Sequence, residues 1–244
     1  MSVYKTQNLS DILKTNTYPG RGIVIGKTAD GKKALSAYFI MGRSENSRNR
    51  IFKAEGENIT IYPFDESKVS DPSLIIYSPI RKFENKLIVT NGDQTDTIYD
   101  FLADGKGFSC ALKTREFEPD SPNFTPRISG MLTFENDDFS YDMSILKSAD
   151  EIGSACNRFT FNYKSISGVG HFIHTYNHDG NPLPTFTGEP ERVSISNDID
   201  EITKSIWQNL DDNNKISLFV RMTDLETGET DTRIINKHEG GELK

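Results

Sequence analysis

The chain has 244 residues, 35% hydrophobic and 26% charged, with a formal net charge of −8 and a pI of about 5.1. That length buries a sizeable core, while the acidity argues against nucleic acid as a partner, since such a surface must be basic to displace counterions. No window approaches the apolar length of a membrane span, Met1 to Lys14 lacks a signal-peptide core, and Cys110 and Cys156, the two cysteines, read as buried packing residues in a reducing, cytoplasmic setting.

Residues Ser2 to Asn16 are polar and read as an arm outside the core, with one helical turn at Asp11-Ile12-Leu13. After the punctuation Tyr18-Pro19-Gly20-Arg21-Gly22, a strand at Gly22–Gly26 returns through the turn Ala29–Lys32 as Ala34–Met41. That hairpin delivers Gly42 to Arg50, a run with three arginines, two serines and two asparagines. Asn58–Tyr62 alternates as a half-buried strand, and Leu74–Tyr77 with Lys86–Thr90 is expected to form a hairpin across Phe83–Asn85. Asn91–Thr97 opens a helix capped by Asp93 or Thr95, with an apolar face interrupted near Gly105–Gly107. Glu116–Asn123 is an acidic loop. Strands follow at Ile128–Phe134, Phe139–Leu146, Arg158–Tyr163, Gly170–Tyr176 and Arg192–Ser196. Asp198 and Glu201 start an amphipathic helix through Ile199, Ile202, Ile206 and Leu210, and a last hairpin joins Ile216–Thr223 to Thr230–Ile235.

Many antiparallel hairpins with about two substantial helices and no βαβ alternation predict an α+β fold. With no composition break or repeat, a single domain spans 1–244: an arm at 1–17, a core at 18–236 and a tail at 237–244.

The Gly42–Arg50 cluster suits an anion, because the planar arginine fork matches phosphate oxygens two at a time; a solvated basic turn is the alternative. The acidity of the rest favours a small phosphorylated ligand over a polyanion. His171 and His174 fall on opposite faces of a strand and cannot chelate one ion together. Four polar motifs end strands or lie on the loops leaving them: Arg21, the Arg43–Arg50 cluster, Asn91–Thr97, and Glu118 with Arg127. Together they describe a basic pocket with carboxylates at hand, without an activated Ser or Cys triad and without metal-ligand spacing.

Tyr18-Pro-Gly-Arg-Gly, Gly42-Arg-Ser with Ser47-Arg-Asn-Arg, Asn91-Gly-Asp-Gln-Thr-Asp-Thr-Ile and Thr125-Pro-Arg-Ile, in that order, resemble the stand-alone IMP cyclohydrolases, distinct from the bifunctional transformylase/cyclohydrolase. The resemblance implies a four-layer αββα sandwich like the N-terminal-nucleophile hydrolases, and dehydrative closure of a formamidoimidazole-carboxamide ribotide to IMP in purine biosynthesis. By motif position it implies Arg50, Tyr77 and Glu118 as catalytic residues. Arg21, Arg43, Arg48, Asn91, Asp96 and Arg127 become substrate-binding residues, with no metal and no cofactor. The implied partners are the purine ribotide and further copies of the chain, with neither nucleic acid nor membrane. Two alternatives stay open: a catalytically silent purine-nucleotide-binding module, and an amidohydrolase using Ser2 as nucleophile.

Overall fold

A computed structural model describes residues 4–69 and 76–242. The Ser2 nucleophile and the Leu74-Ile75 part of the expected strand lie outside the described residues. Among those described, no helix is long and apolar enough to cross a membrane.

Two antiparallel sheets carry the fold. The first, in spatial order, joins β11 (Glu191–Ser194), β10 (Val169–His174), β1 (Arg21–Lys27), β2 (Lys33–Met41), β12 (Lys215–Asp224) and β13 (Thr230–Asn236). The second is a meander in chain order: β3 (Ile51–Glu55), β4 (Asn58–Tyr62), β5 (Ile80–Phe83), β6 (Lys86–Thr90), β7 (Arg127–Glu135), β8 (Asp138–Ser148) and β9 (Cys156–Lys164). Strands β1 and β2 read as continuous apolar runs because both their faces are covered. Ile23, Ile25, Tyr38 and Ile40 face the second sheet's Ile59, Val89, Ile128 and Met143. Their alternates Val24, Leu35, Phe39 and Met41 pack with the helices α1 (Leu9–Thr15) and α5 (Ile199–Asn209). A third cluster joins Ile88, Met131 and Leu146 of the second sheet to Ile98, Phe108 and Leu112 of α3 (Gln94–Ala103) and α4 (Phe108–Leu112).

Most expected elements are present, and the departures have local causes. The Asp11–Leu13 turn is a seven-residue helix capped by Asn8, and its Leu9 and Leu13 are buried, so this segment is core and not an arm. The arginine cluster contains a short helix, α2 (Glu45–Arg48), because Ser44 accepts from the Ser47 amide as an N-cap. Strand β3, absent from the sequence reading, follows it directly and pairs with β4. β6 pairs with β5, beginning at Ile80, where a strand over Leu74–Tyr77 was expected: the two-residue turn at Glu84-Asn85, with Glu84 at φ +50°, fixes the register Phe83↔Lys86, and the Pro79 carbonyl still accepts from the Thr90 amide at 2.8 Å. Asp93 occupies the cap position of α3 without capping it, since its carboxylate is engaged by arginines. Cys110 is exposed and Cys156 half-buried, so neither is the buried packing residue expected.

Candidate active site

The four motifs lie at one end of the sandwich. Arg21 begins β1 while Gly42 follows β2; Arg50 precedes β3, Tyr77 precedes β5, Asn91 follows β6, and Glu118 and Thr125 precede β7. Antiparallel pairing of these strands brings all of those ends to the same rim.

Five side chains, Arg21, Tyr38, Arg50, Tyr77 and Glu118, lie within electrostatic reach of one another there. The charges of Arg21 and Arg50 both act on Tyr38, Tyr77 and Glu118. Burial raises the Glu118 carboxyl above the usual carboxylate range; Arg21, Arg127 and Arg50 oppose this, and Asp120 adds to it. Glu118 is set by its amide, which donates to the Thr125 carbonyl at 2.9 Å, while Asp120 accepts from both the Thr125 amide and hydroxyl. For Arg21, burial works against the cation, but Tyr18, Tyr176, Glu118 and Tyr38 outweigh it and hold the guanidinium firmly charged. The Tyr77 hydroxyl donates to the Asn91 carbonyl at 2.8 Å. Burial raises its pKa, against the pull of Arg50, Tyr38 and Arg21.

Three polar atoms at this cluster are buried without a well-formed hydrogen bond among the described residues: the Tyr38 hydroxyl, which makes only a weak contact with Tyr77, and Nε of Arg50 and of Arg127. Leaving such groups unpaired costs about 1–3 kcal/mol each, so a cluster of them beside buried charges calls for a physical account.

Arg127 forms the adjoining wall, its Nη1 2.7 Å from Asp93 and 2.8 Å from the Gln94 side-chain oxygen. Arg115 takes the other Asp93 oxygen at 2.5 Å. The Asn91 side chain is consumed internally: it donates to the Pro126 carbonyl and accepts from Gln94 and the Ile128 amide, fastening β6 to β7. Asp96 is exposed on α3 and pairs with Arg81 at 2.6 Å, so the structure does not bring it to the cluster. Arg48 is turned back onto the Gly42 carbonyl and Asn214. Arg43 lies at the rim, over the Tyr18 ring and bound to Asp179 at 2.7 Å.

Tyr38 and Tyr176 were missed by the sequence reading. Tyr38 was hidden in an apolar strand, where one aromatic reads as packing. Tyr176 stacks on Tyr18, and its hydroxyl is 2.7 Å from Thr125 Oγ1. His171 and His174 do face opposite layers: His171 stacks on Tyr163 of β9, whereas His174 packs with Phe172 beside Glu191. Among the described residues, no three His, Cys, Asp or Glu side chains are grouped closely enough to hold a metal ion.

Residues 18–229 match the family described as IMP cyclohydrolase-like protein. The IMP cyclohydrolase of Methanothrix thermoacetophila is 32% identical over 120 residues, 48% of this chain and 58% of that protein. That of Methanocaldococcus jannaschii is 33% identical over 117 residues, 47% and 56% respectively. A Methanococcus maripaludis IMP cyclohydrolase is 33% identical over 147 residues, 57% of this chain and 71% of that protein. The chain thus spans a little over half the length of the first two relatives.

Proposed function

This chain belongs to the IMP cyclohydrolase-like family, and from that premise we propose that it closes 5-formamidoimidazole-4-carboxamide ribotide to IMP with loss of water. One observation carries the proposal: a carboxyl with a raised pKa, Glu118, stands among Arg21, Arg50 and Arg127 beside the hydroxyls of Tyr77 and Tyr38. The wider fold in this reading is the four-layer αββα sandwich of the N-terminal-nucleophile hydrolases. Three apolar clusters, one between the sheets and one on each outer face, support it. The setting in this reading is the cytoplasm, and the working form a homo-oligomer.

The reaction asks little bond-making help from a protein. The attacking carboxamide nitrogen and the formyl carbon are already in one molecule, so the site must fold the two arms together and manage charge and protons. Glu118 in its ionised form takes the proton from the carboxamide nitrogen as that nitrogen bonds to the formyl carbon. It returns that proton to the oxygen at the tetrahedral stage; the second proton, released by the formamido N–H as its nitrogen forms the double bond to the same carbon, completes the water that leaves, and a carboxyl raised toward neutrality suits proton transfer in both directions. The formyl oxygen gains charge at the tetrahedral stage, and the Arg50 guanidinium and Tyr77 hydroxyl are the donors assigned to it. Arg21 and Arg127 hold the polar edge of the base around Glu118. Arg43, at the rim, is the phosphate arginine in preference to Arg48: Arg43 is held through Nη1, by Asp179 and Gly180, whereas Arg48 is held through both Nε and Nη2, by Gly42 and Asn214. Asn91 acts through its carbonyl, which steadies Tyr77.

The test is to mix the purified protein with the formamido ribotide and follow IMP by ultraviolet absorbance, without added metal. Turnover is expected. Calorimetric binding of IMP with no ring closure would replace this reading with a silent nucleotide-binding module.

A further inference from the structure

Tyr38 sits mid-strand in β2, fully buried, with its ring stacked on Phe52 at 5.7 Å between centroids. Nothing in that packing needs a hydroxyl, since phenylalanine would fill the same space. Yet the hydroxyl is present, shielded from water, with no well-formed hydrogen bond among the described residues and only a weak donor contact to the Tyr77 hydroxyl. The nearest use for it is Tyr77. The two phenols act on each other, and both lie within the fields of Arg21 and Arg50. Tyr77 currently spends its proton on the Asn91 carbonyl. A phenol that turns its O–H toward a substrate oxygen keeps its own oxygen free to accept, and accepting makes it a stronger donor, because hydrogen bonds in a chain polarise one another.

We propose that Tyr38 is a positioning residue for Tyr77: its O–H donates to the Tyr77 oxygen when Tyr77 points its own O–H at the oxygen gaining charge on the substrate. The inference rests on the ring-closure reading and deepens it. No proton is transferred between the two phenols; the pair forms a donor relay that ends on the substrate. The weak contact of the resting site then becomes a full hydrogen bond at one stage of the reaction, which gives the buried hydroxyl its use. The relay also fits the direction in which Tyr38 acts on Tyr77, since donation to a phenol oxygen favours its charged form and lowers its pKa.

The experiment is Tyr38→Phe, alone and combined with Tyr77→Phe, beside the wild type. The single variant is expected to keep or raise the melting temperature, keep KM within about twofold, and lower kcat about tenfold, with the basic limb of its pH profile displaced upward. The double variant is expected to be no slower than Tyr77→Phe, because the relay works only through Tyr77. Ring-labelled tyrosine NMR, with Tyr77 assigned from Tyr77→Phe, reads the pair without substrate; the Tyr77 carbon should titrate at higher pH once Tyr38 lacks its hydroxyl. Three outcomes would each overturn the proposal: wild-type kcat in Tyr38→Phe, equal losses from Tyr38→Phe with and without Tyr77, or an unmoved Tyr77 titration. A falling melting temperature alongside kcat would make Tyr38 structural. A wild-type protein without ring closure removes the function itself, and the NMR titration then judges the phenol pair on its own.

Discussion

Arg127 crosses the backbone of Gly92 so closely that a Cβ on residue 92 would collide with its Nη1 and with the Gln94 side-chain oxygen. The glycine is therefore what lets the guanidinium lie flat between Asp93 and Gln94 and form the wall beside Glu118. Both colliding atoms are ends of flexible side chains, so Gly92→Ala is accommodated by moving them rather than the strand. The expected outcome is a melting temperature within a few degrees of wild type and a KM raised about tenfold. A variant that binds and turns over normally would mean that Arg127 does not meet the substrate.

Arg50 is the residue whose loss separates binding from chemistry. Its Nε is already unpartnered, so Arg50→Ala removes no hydrogen bond from that atom and should leave stability nearly unchanged. If the guanidinium meets the oxygen that gains charge, kcat falls about a hundredfold, the usual range for one lost donor. Steady-state kinetics decide the point: an unchanged kcat with a higher KM would assign Arg50 to ground-state binding instead.

The same rim shows how far a sequence can be read. Strand-end placement of the motifs was legible because turn residues punctuate apolar runs, and antiparallel hairpins must return their ends to one side. Glu118 and Tyr77 entered by motif resemblance, and both lie in the cluster with Arg50. Tyr38 was illegible because a strand buried on both faces has no polar alternation to expose an odd residue. Asp96 was placed with the site because it sits in a motif, but one helical position turns it toward Arg81. Strand β5 was missed because Arg81 and Lys82 look like loop, and pairing depends on the turn beyond them.

Glu118 links activity to stability with opposite signs. Its folded pKa lies above the ordinary value of 4.5, so the folded state holds a proton that the unfolded state has released. Between those two pKa values stability falls as pH rises, and above the folded pKa the full penalty of burying the charge persists. Glu118→Gln removes that dependence. The variant is expected to be at least as stable as wild type at pH 7, with the difference vanishing below about pH 4 where both states of the wild type are protonated. Its ring-closure rate should collapse and not recover as pH is raised. Denaturant melts across pH check the first statement; a Glu118→Gln protein that folds and keeps wild-type activity would remove Glu118 from the mechanism.

His171 gives the reverse slope far from the site. Its imidazole is buried, stacks on Tyr163 and is 2.7 Å from the Tyr141 hydroxyl; burial, with Arg192 across the strand pair, pushes its pKa from 6.5 down to about 4. The unfolded chain therefore binds a proton that the folded chain refuses between pH 6.5 and 4, and stability should rise with pH through that window. Solvent near the ring screens part of the effect, leaving about 1–2 kcal/mol. Imidazole NMR should show His171 neutral down to about pH 4, and His171→Phe should flatten that stretch of the stability curve whatever it does to absolute stability through the stranded Tyr141 hydroxyl. A titration near 6.5 would mean that the ring is solvated, and the gap between β8, β9 and β10 open.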